Sequence, residues 1–444
     1  MNPYSQLPDH CFWSRAVTWV HPAQMDPMSR APFRITASDK IATMGSCFAQ
    51  HISRRLQAAG FNYFVPESAP DDMGRDDARR ANYGVFSARY GNVYTVRQAV
   101  QLIDRAFDGA EFDEVWEKGS HFVDPFRPQI EPDGFETPEA VRQSRARHLA
   151  AVRRVFQESD VLVFTLGLTE AWRAVESGAV YPTAPGVAGG QFDPGAHAAV
   201  NFTVQETIAD LETFIRKARA LNPRLKFILT VSPVPLKATF EDRHVLQSTV
   251  YSKSVLRVAA QHASETFEDV CYFPSFEIIT GPGGAGRYYA PDLREVRDVG
   301  VAHVMRIFER HFIRGEEAVA TPAVPSDSQP SDDDIVCDED VIEAAIKGSQ
   351  VRRAQPAEAP AGPRPTLSEY DVAMGYRMVL NRAPESSVAI DAHRHHHRDR
   401  SAFVATLLSS NEFKRRVGDD EAARMKRLFD WLSAEPLTPA ARRV

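Results

Sequence analysis

The stretch "IATMGSCFAQHISRRL", residues 41 to 56, sets a cysteine between a short apolar run and a pattern whose apolar positions recur at helical spacing. If the run is a strand and the pattern a helix, Gly45, Ser46 and Cys47 form the tight turn between them. At such a turn the first N–H groups of the helix are unsatisfied and the helix dipole favours an anion, which lowers a thiol pKa. Gly45 would let the chain turn sharply, and Ser46 would cap the helix. A thiolate so placed attacks an acyl carbonyl, with its own N–H helping to hold the oxyanion. The bland alternative is a buried cysteine used as a small apolar residue, the commoner role of a free thiol. Position alone leaves both readings open.

The other cysteines, Cys11, Cys271 and Cys337, are scattered without a CxxC spacing, which argues against a disulfide framework or a cysteine zinc site. Acidic neighbours around Cys337 disfavour a thiolate there. Four histidines, His393, His395, His396 and His397, are of a type that binds Zn or Ni. Neighbouring residues on a helix point in different directions, so a solvated face is expected and no metal is assigned. Lys253 and Arg89 are cations able to stabilise a thiolate or an anionic substrate group, or to sit in ordinary ion pairs. Trp172 and Tyr90 either stack on a sugar ring or fill the core.

The chain has 444 residues, 43% hydrophobic and 25% charged, with a net charge of -7. That length allows one large domain or two to three ordinary ones. The acidic balance gives no electrostatic footprint for nucleic acid, so a small-molecule or polymer substrate is expected. No stretch reaches the roughly 18 uninterrupted apolar residues of a membrane span, and the first residues lack a secretory pattern. A cytoplasmic location is expected, and oligomeric state is not legible.

Strand-like runs at 40–44, 61–65, 160–167, 226–232 and 269–274 alternate with helical patterns at 48–60, 96–109, 138–157, 203–223 and 249–263. The alternation predicts a doubly wound, mainly parallel α/β sheet of about five strands, with ligands at the carboxyl ends of the strands. Insertions at about 66–95, 110–136 and 174–201 are rich in Pro, Gly, Asp and aromatic residues and are expected to shape a cleft. The expected domains are 1–315 as the α/β unit and 366–444 as a small all-α domain. Between them, 316–365 reads as an acidic Pro/Ala/Ser-rich linker, with a short helix around "EDVIEAAIKG".

The motif "GSCFA" and the ordered blocks "RYGNVYTVRQ", "TLGLTEAWR", "LTVSPVPL", "YSKSVLR" and "YFPSFEIITG" resemble the GSCFA family, bacterial proteins similar to the SGNH (GDSL-like) hydrolases. The resemblance spans about residues 20 to 315. It implies a flavodoxin-like sheet with an acyl-transfer or ester-cleaving site in which Cys47 stands at the place of the SGNH serine. Gly91, with Asn92 beside it, then supplies a backbone donor. The block that in SGNH enzymes gives an asparagine donor reads Gly167, Leu168, Thr169, Glu170, and the last block carries Asp292 but Glu295 in place of histidine. A carboxylate at Glu295 accepts a proton, yet near Cys47 it raises the thiol pKa unless a cation intervenes. Another imidazole is therefore sought as general base: His244 first, at a strand-end loop, His51 second, one turn after Cys47, and His303 third. The segment 368–417 resembles a small helical domain appended to bacterial glycosyltransferases and other carbohydrate-related enzymes.

The function these readings favour is a cysteine-dependent esterase or O-acyltransferase acting on a carbohydrate or other hydroxylated acceptor, needing no cofactor, with acyl-CoA as a candidate co-substrate. The contrasting function is a catalytically lapsed module that holds a glycan or glycolipid head group.

Overall fold

The computed structural model describes residues 2–110, 112–284, 286–290 and 292–313, then 386–397, 400–417 and single positions between 342 and 380. The expected linker, its short helix apart from Ile342, and Cys337 lie outside the described residues. The chain divides into two compact units, Met1–Arg352 and Arg353–Val444.

The first unit is built on four parallel strands in the order β1 (Ile41–Gly45), β4 (Val161–Leu166), β8 (Lys226–Val231), β9 (Val270–Tyr272). Apolar residues on both faces of these strands predict burial from both sides, and that is how they pack. Ile41, Val161, Val163 and Ile228 face one layer, made by α1 (Phe48–Ala58), α7 (Ser275–Thr280) and α8 (Asp298–Phe312). Ala42, Met44, Leu162, Phe164, Phe227 and Leu229 face the other. That second layer holds α3 (Val96–Ile103), α4 (Pro138–Glu158), α5 (Val204–Leu221) and α6 (Val245–Thr266). The helix starts are legible as chemistry: Thr95 with Gln98 and Thr203 with Glu206 form capping boxes, and Thr137 caps α4 ahead of Pro138.

The expected fifth strand is corrected. Residues 61–65 meet β1 only through a single parallel bridge, Ile41 to Tyr63. Beyond it, side chains take over the hydrogen bonds a strand would make. The Thr43 N–H donates to Ser87 Oγ at 3.0 Å, the Tyr90 hydroxyl donates to the Thr43 carbonyl, and the Val93 N–H donates to the Gly45 carbonyl at 2.8 Å. The irregular segment 87–93 thus closes the edge of β1. With 61–65 counted as a rudimentary strand, the order is the 2-1-3-4-5 of one doubly wound arrangement.

The insertions carry regular structure the sequence does not announce. A short helix, α2 (Arg75–Arg80), lies in the first, and the second holds the hairpin of β2 (Trp116–Lys118) and β3 (His121–Val123). The third joins an antiparallel sheet in the order β6 (Val180–Tyr181), β5 (Glu170–Ala174), β7 (His197–Asn201). Between α2 and the hairpin, Arg89 is buried, bonded to the Ala81 and Ile130 carbonyls and paired with Glu131, so it is structural. Tyr90 is likewise a core aromatic, packed edge-on to His148.

In the second unit, helices α9 (Ser387–His396), α10 (Arg400–Leu408) and α11 (Asn411–Val417) surround a small core that includes Tyr376, Phe403 and Phe413. The expected solvated histidine face is corrected in part. His393 and His397, four residues apart and so on one side of the helix, stack with ring centroids 5.5 Å apart and pack against Phe403, while His396 is exposed. No group of three or more potential ligands able to hold a metal occurs among the described residues. No helix among them is long and apolar enough to cross a membrane.

Acid should weaken the fold. His51 sits partly buried against Phe48, and burial, with the nearby Arg54 charge, lowers its pKa to about 4. An unfolded histidine binds its proton near pH 6.5, so the folded state binds fewer protons below that value and loses stability as pH falls towards 4. The urea midpoint is expected to drop over this window, and His51→Gln should flatten the decline by roughly 1 to 3 kcal/mol in the extrapolated stability at pH 4.

Candidate active site

β1 ends at Gly45, whose φ of +127° is reached readily only by glycine. A Cβ at Gly45 would lie 2.1 Å from the Thr165 carbonyl oxygen of the neighbouring strand. The glycine therefore lets β1 and β4 run side by side to their ends and then lets the chain swing over β4: the Ser46 N–H donates to that same carbonyl at 3.1 Å. α1 starts two residues later, with Cys47 as its N-cap residue. The Ala49 and Gln50 N–H groups bond to the Ser46 and Cys47 carbonyls, at 2.8 and 3.0 Å. Cys47 is thus held at the helix start on the carboxyl edge of the sheet, 6% exposed.

Ser46 does not cap the helix. Its Oγ is buried with no hydrogen-bond partner among the described residues, because the αR backbone of Cys47 puts the N-cap one residue later. A buried hydroxyl left unpaired is costly, and Ser46 carries that cost at the turn.

Two further segments close around this turn. One is 91–94: Gly91 has a φ of +68°, the Asn92 side chain accepts a hydrogen bond from Gln50 Nε2 at 3.4 Å, and Val93 holds the Gly45 carbonyl. The other is 167–170. Gly167 and Leu168 donate their N–H groups to the Tyr94 carbonyl, at 3.1 and 2.9 Å. A Cβ at Gly167 would come within 3.1 Å of Ser46 Cβ and 3.0 Å of the Tyr94 oxygen, so a side chain there would crowd both neighbours by a few tenths of an ångström. Lys253, on α6 and 2% exposed, donates from Nζ to the Gly167 carbonyl at 2.7 Å. Ser46, Cys47, Gly91, Asn92, Gly167 and Lys253 are therefore joined by one continuous set of backbone and side-chain contacts.

The remaining candidates are placed differently. The Thr169 N–H donates to Ser252 Oγ at 3.0 Å, and its hydroxyl donates to Asn201 Oδ1 at 2.7 Å, so its proton is already committed. Glu170 accepts from the Thr239 hydroxyl at 2.7 Å and from the Phe240 N–H at 3.3 Å, and burial raises its pKa. His244 is exposed and caps α6, its Nδ1 accepting from the Leu246 N–H at 3.1 Å. Asp292 is exposed and accepts the Arg294 and Glu295 N–H groups at 3.0 and 3.1 Å, and Glu295 is exposed beside it. Their segment is tied to the loop after β8, where Tyr289 donates to the Pro233 carbonyl and Arg294 to that of Pro235. His303 has both ring nitrogens engaged, by the Tyr288 hydroxyl at 2.7 Å and the Met25 carbonyl at 2.8 Å, so it is a packing residue. Trp172 meets Phe192 and Phe240 edge-on in a partly exposed aromatic group.

Sequence reasoning missed Gln50, Tyr94, Ser252 and Asn201. Tyr94 and Ser252 fall inside "RYGNVYTVRQ" and "YSKSVLR", so those blocks held the signal. Gln50, three residues after Cys47, is on the same side of α1. Asn201 had no sequence signal.

Because the Gly45 approach to Thr165 is backbone on backbone, Gly45→Ala should destabilise by about 2 to 5 kcal/mol, combining strain and overpacking. Gly60→Ala, at a φ of +75° with nothing within 4 Å, should cost only about 1 to 2 kcal/mol. Equal urea midpoints for the two variants would remove the special status of Gly45.

No curated protein and no solved structure gives a significant match. The GSCFA family model matches residues 40–308, which takes in the whole four-stranded sheet and every segment gathered around Cys47. The chain belongs to the GSCFA family.

Proposed function

We propose that the first unit is an SGNH-like acyl-transfer or ester-cleaving enzyme that works through a thioester on Cys47. The observation that carries the reading is the glycine-enforced turn: it presents a thiol at a helix start, on the carboxyl edge of a parallel sheet, next to the Gly167 segment whose carbonyl holds the buried Lys253. A helix dipole favours a thiolate, as a nearby ammonium would. In the first half-reaction the thiolate attacks the acyl carbonyl, a thioester forms, and the alcohol or thiol leaves with a proton. In the second, a hydroxyl of a carbohydrate acceptor, or water, loses its proton to a base and takes the acyl group, regenerating the thiol. The Gly91 and Cys47 backbone N–H groups are the oxyanion donors in this scheme.

His51 now ranks above His244 as the base. Four residues after Cys47, it lies on the same side of α1, and burial keeps its imidazole neutral at physiological pH. His244 already spends its Nδ1 lone pair on its helix. The contrasting reading, a binding module without turnover, draws support from the commitment of the Thr169 hydroxyl to Asn201 and from the exposed Trp172, Phe192 and Phe240 group.

The test uses p-nitrophenyl acetate and acetyl-CoA. One acetyl mass should appear on the peptide carrying Cys47 and on neither the Cys11 nor the Cys271 peptide; burial and the Asp269 charge push the Cys271 thiol well up. Turnover should fall by roughly 1,000-fold or more in Cys47→Ala. Acetyl on no cysteine, with no turnover of either donor, would favour the binding module. His51→Gln should lower kcat at least tenfold, whereas His244→Ala should cost about 0.5 to 2 kcal/mol of stability through the lost cap and leave kcat nearly unchanged. With His51 as base, the acid limb of kcat/KM is expected near pH 4; a limb near 6.5 would assign the role to another histidine.

A further inference from the structure

The segment that passes Gly45 also walls a cavity of about 20 Å3, lined by Asn92, Gln98, Gln101, Arg105, Arg127 and His148 among others. That is space for about one water-sized group, such as a single ligand oxygen. Gln98, Gln101 and Arg105 form a single stripe, at intervals of three and four, along α3 and the π-helical turn Asp104–Asp108 that continues it.

The charged groups around this cavity are unevenly paired. Asp124 is wholly buried and accepts from Arg127 Nε and from Arg145, each at 2.9 Å. Glu67 accepts from His148 Nδ1 at 2.8 Å and lies 3.8 Å from Arg127. Burial alone would raise both carboxyls, but the neighbouring arginines, and for Glu67 also His148, hold them well below the usual carboxylate range. Burial and Arg127 keep the His148 imidazole neutral. Arg145 also lies 3.9 Å from Asp113, so Arg127 and Arg145 each have ion-pair partners within 4 Å, while Arg105 feels the Asp124 charge only at longer range. It is 9% exposed, its Nη2 is buried without a hydrogen-bond partner among the described residues, and its guanidinium lies 3.9 Å above the Phe126 ring. A buried guanidinium with an unsatisfied Nη2 is expensive, and a ligand oxygen at that nitrogen would relieve the cost.

Gln98 adds a directed donor. Its Oε1 accepts the Thr95 N–H at 2.9 Å and the Thr95 hydroxyl at 3.1 Å, so the capping box fixes the amide and leaves the NH2 end for the cavity. Gln101, by contrast, has both ends engaged, by the Gly178 carbonyl and the Val180 N–H.

We propose that this cavity binds a small oxyanion, whose charge pairs with Arg105 and whose oxygen accepts from the Gln98 amide. The site shares Asn92 and Val93 with the cysteine turn but does not depend on acyl-transfer chemistry at Cys47.

The full chain is titrated with inorganic phosphate and, separately, with sodium acetate, at ionic strength held with sodium chloride, and followed by calorimetry and thermal melting. At least one of the two should give a saturable, single-site rise in melting temperature: phosphate alone marks a phosphoryl ligand, acetate alone a carboxylate. Arg105→Met should weaken that binding at least tenfold and melt no lower than the parent without the anion, because the unpaired buried charge is gone. Gln98→Glu keeps the capping box, as Glu206 does at Thr203, and should abolish the anion response while raising the anion-free melting temperature by giving Arg105 a carboxylate. If Arg105→Met fails to fold, Gln98→Glu decides alone. The proposal is overturned if neither anion gives a saturable response, which leaves the cavity to water. It is equally overturned if the variants respond as the parent does, or if both melt lower by the same amount with and without anion.

Discussion

Everything at the candidate site hangs on one close approach, that of the Gly45 backbone to the Thr165 carbonyl. A Cβ there would sit 2.1 Å from that oxygen. With no side chain, β1 and β4 stay paired to their last residues, Ser46 takes the exposed carbonyl, and α1 begins within one more residue. Had the chain needed a longer turn, Cys47 would fall in a loop, without the helix dipole and without the fixed N–H groups that give its position chemical meaning. A second glycine repeats the device at the next strand: Gly167 lets Tyr94, Ser46 and the β4 exit pack at backbone distance.

That packing explains why a lysine is tolerated inside. The Gly167 carbonyl has left the ladder at the end of β4, and an unpaired buried carbonyl costs about as much as a lost hydrogen bond. Lys253 satisfies it at 2.7 Å, and the carbonyl in turn gives a buried ammonium an oxygen to replace its water. The bond sets Lys253 against Gly167, the residue that also approaches Ser46.

What is legible in the sequence follows from local physics. Helix starts are readable at Thr95, Thr137 and Thr203 because capping is a short-range contest among neighbouring residues. The two-sided strands are readable because they are continuously apolar. The Cys47 turn is readable because glycine, a small polar residue and a helix pattern stand together. The edge at 61–65 is not, since Ser87, Tyr90 and Val93 displace the ladder there and no local pattern in 61–65 records it. The antiparallel sheet of β5, β6 and β7 is also hidden, because its strands are short and β5 and β7 are only partly buried. Partners from distant segments are hidden for the same reason: nothing near Thr169 announces that Asn201 will take its hydroxyl proton, and nothing in "DPFRPQ" announces a wholly buried Asp124.

The role of histidine shows how long-range structure redirects a local reading. On spacing alone His244 is attractive, since it stands at a strand-end loop where a base belongs. The helix that follows it needs a cap, however, and its Nδ1 meets the Leu246 N–H, so that lone pair is committed in every folded molecule. His51 carries no such duty among the described residues; it packs against Phe48 beneath the same turn that presents Cys47. The burial that keeps its imidazole neutral also weakens it as a base, so proton transfer from an ordinary thiol would be uphill. On the proposed reading it becomes favourable only with an acidified thiol, which a helix start would promote. In the proposed scheme, nucleophile and base would therefore be coupled through Gly45: a turn loose enough to move Cys47 away from the helix dipole would remove the condition under which a neutral, weakly basic His51 could serve it.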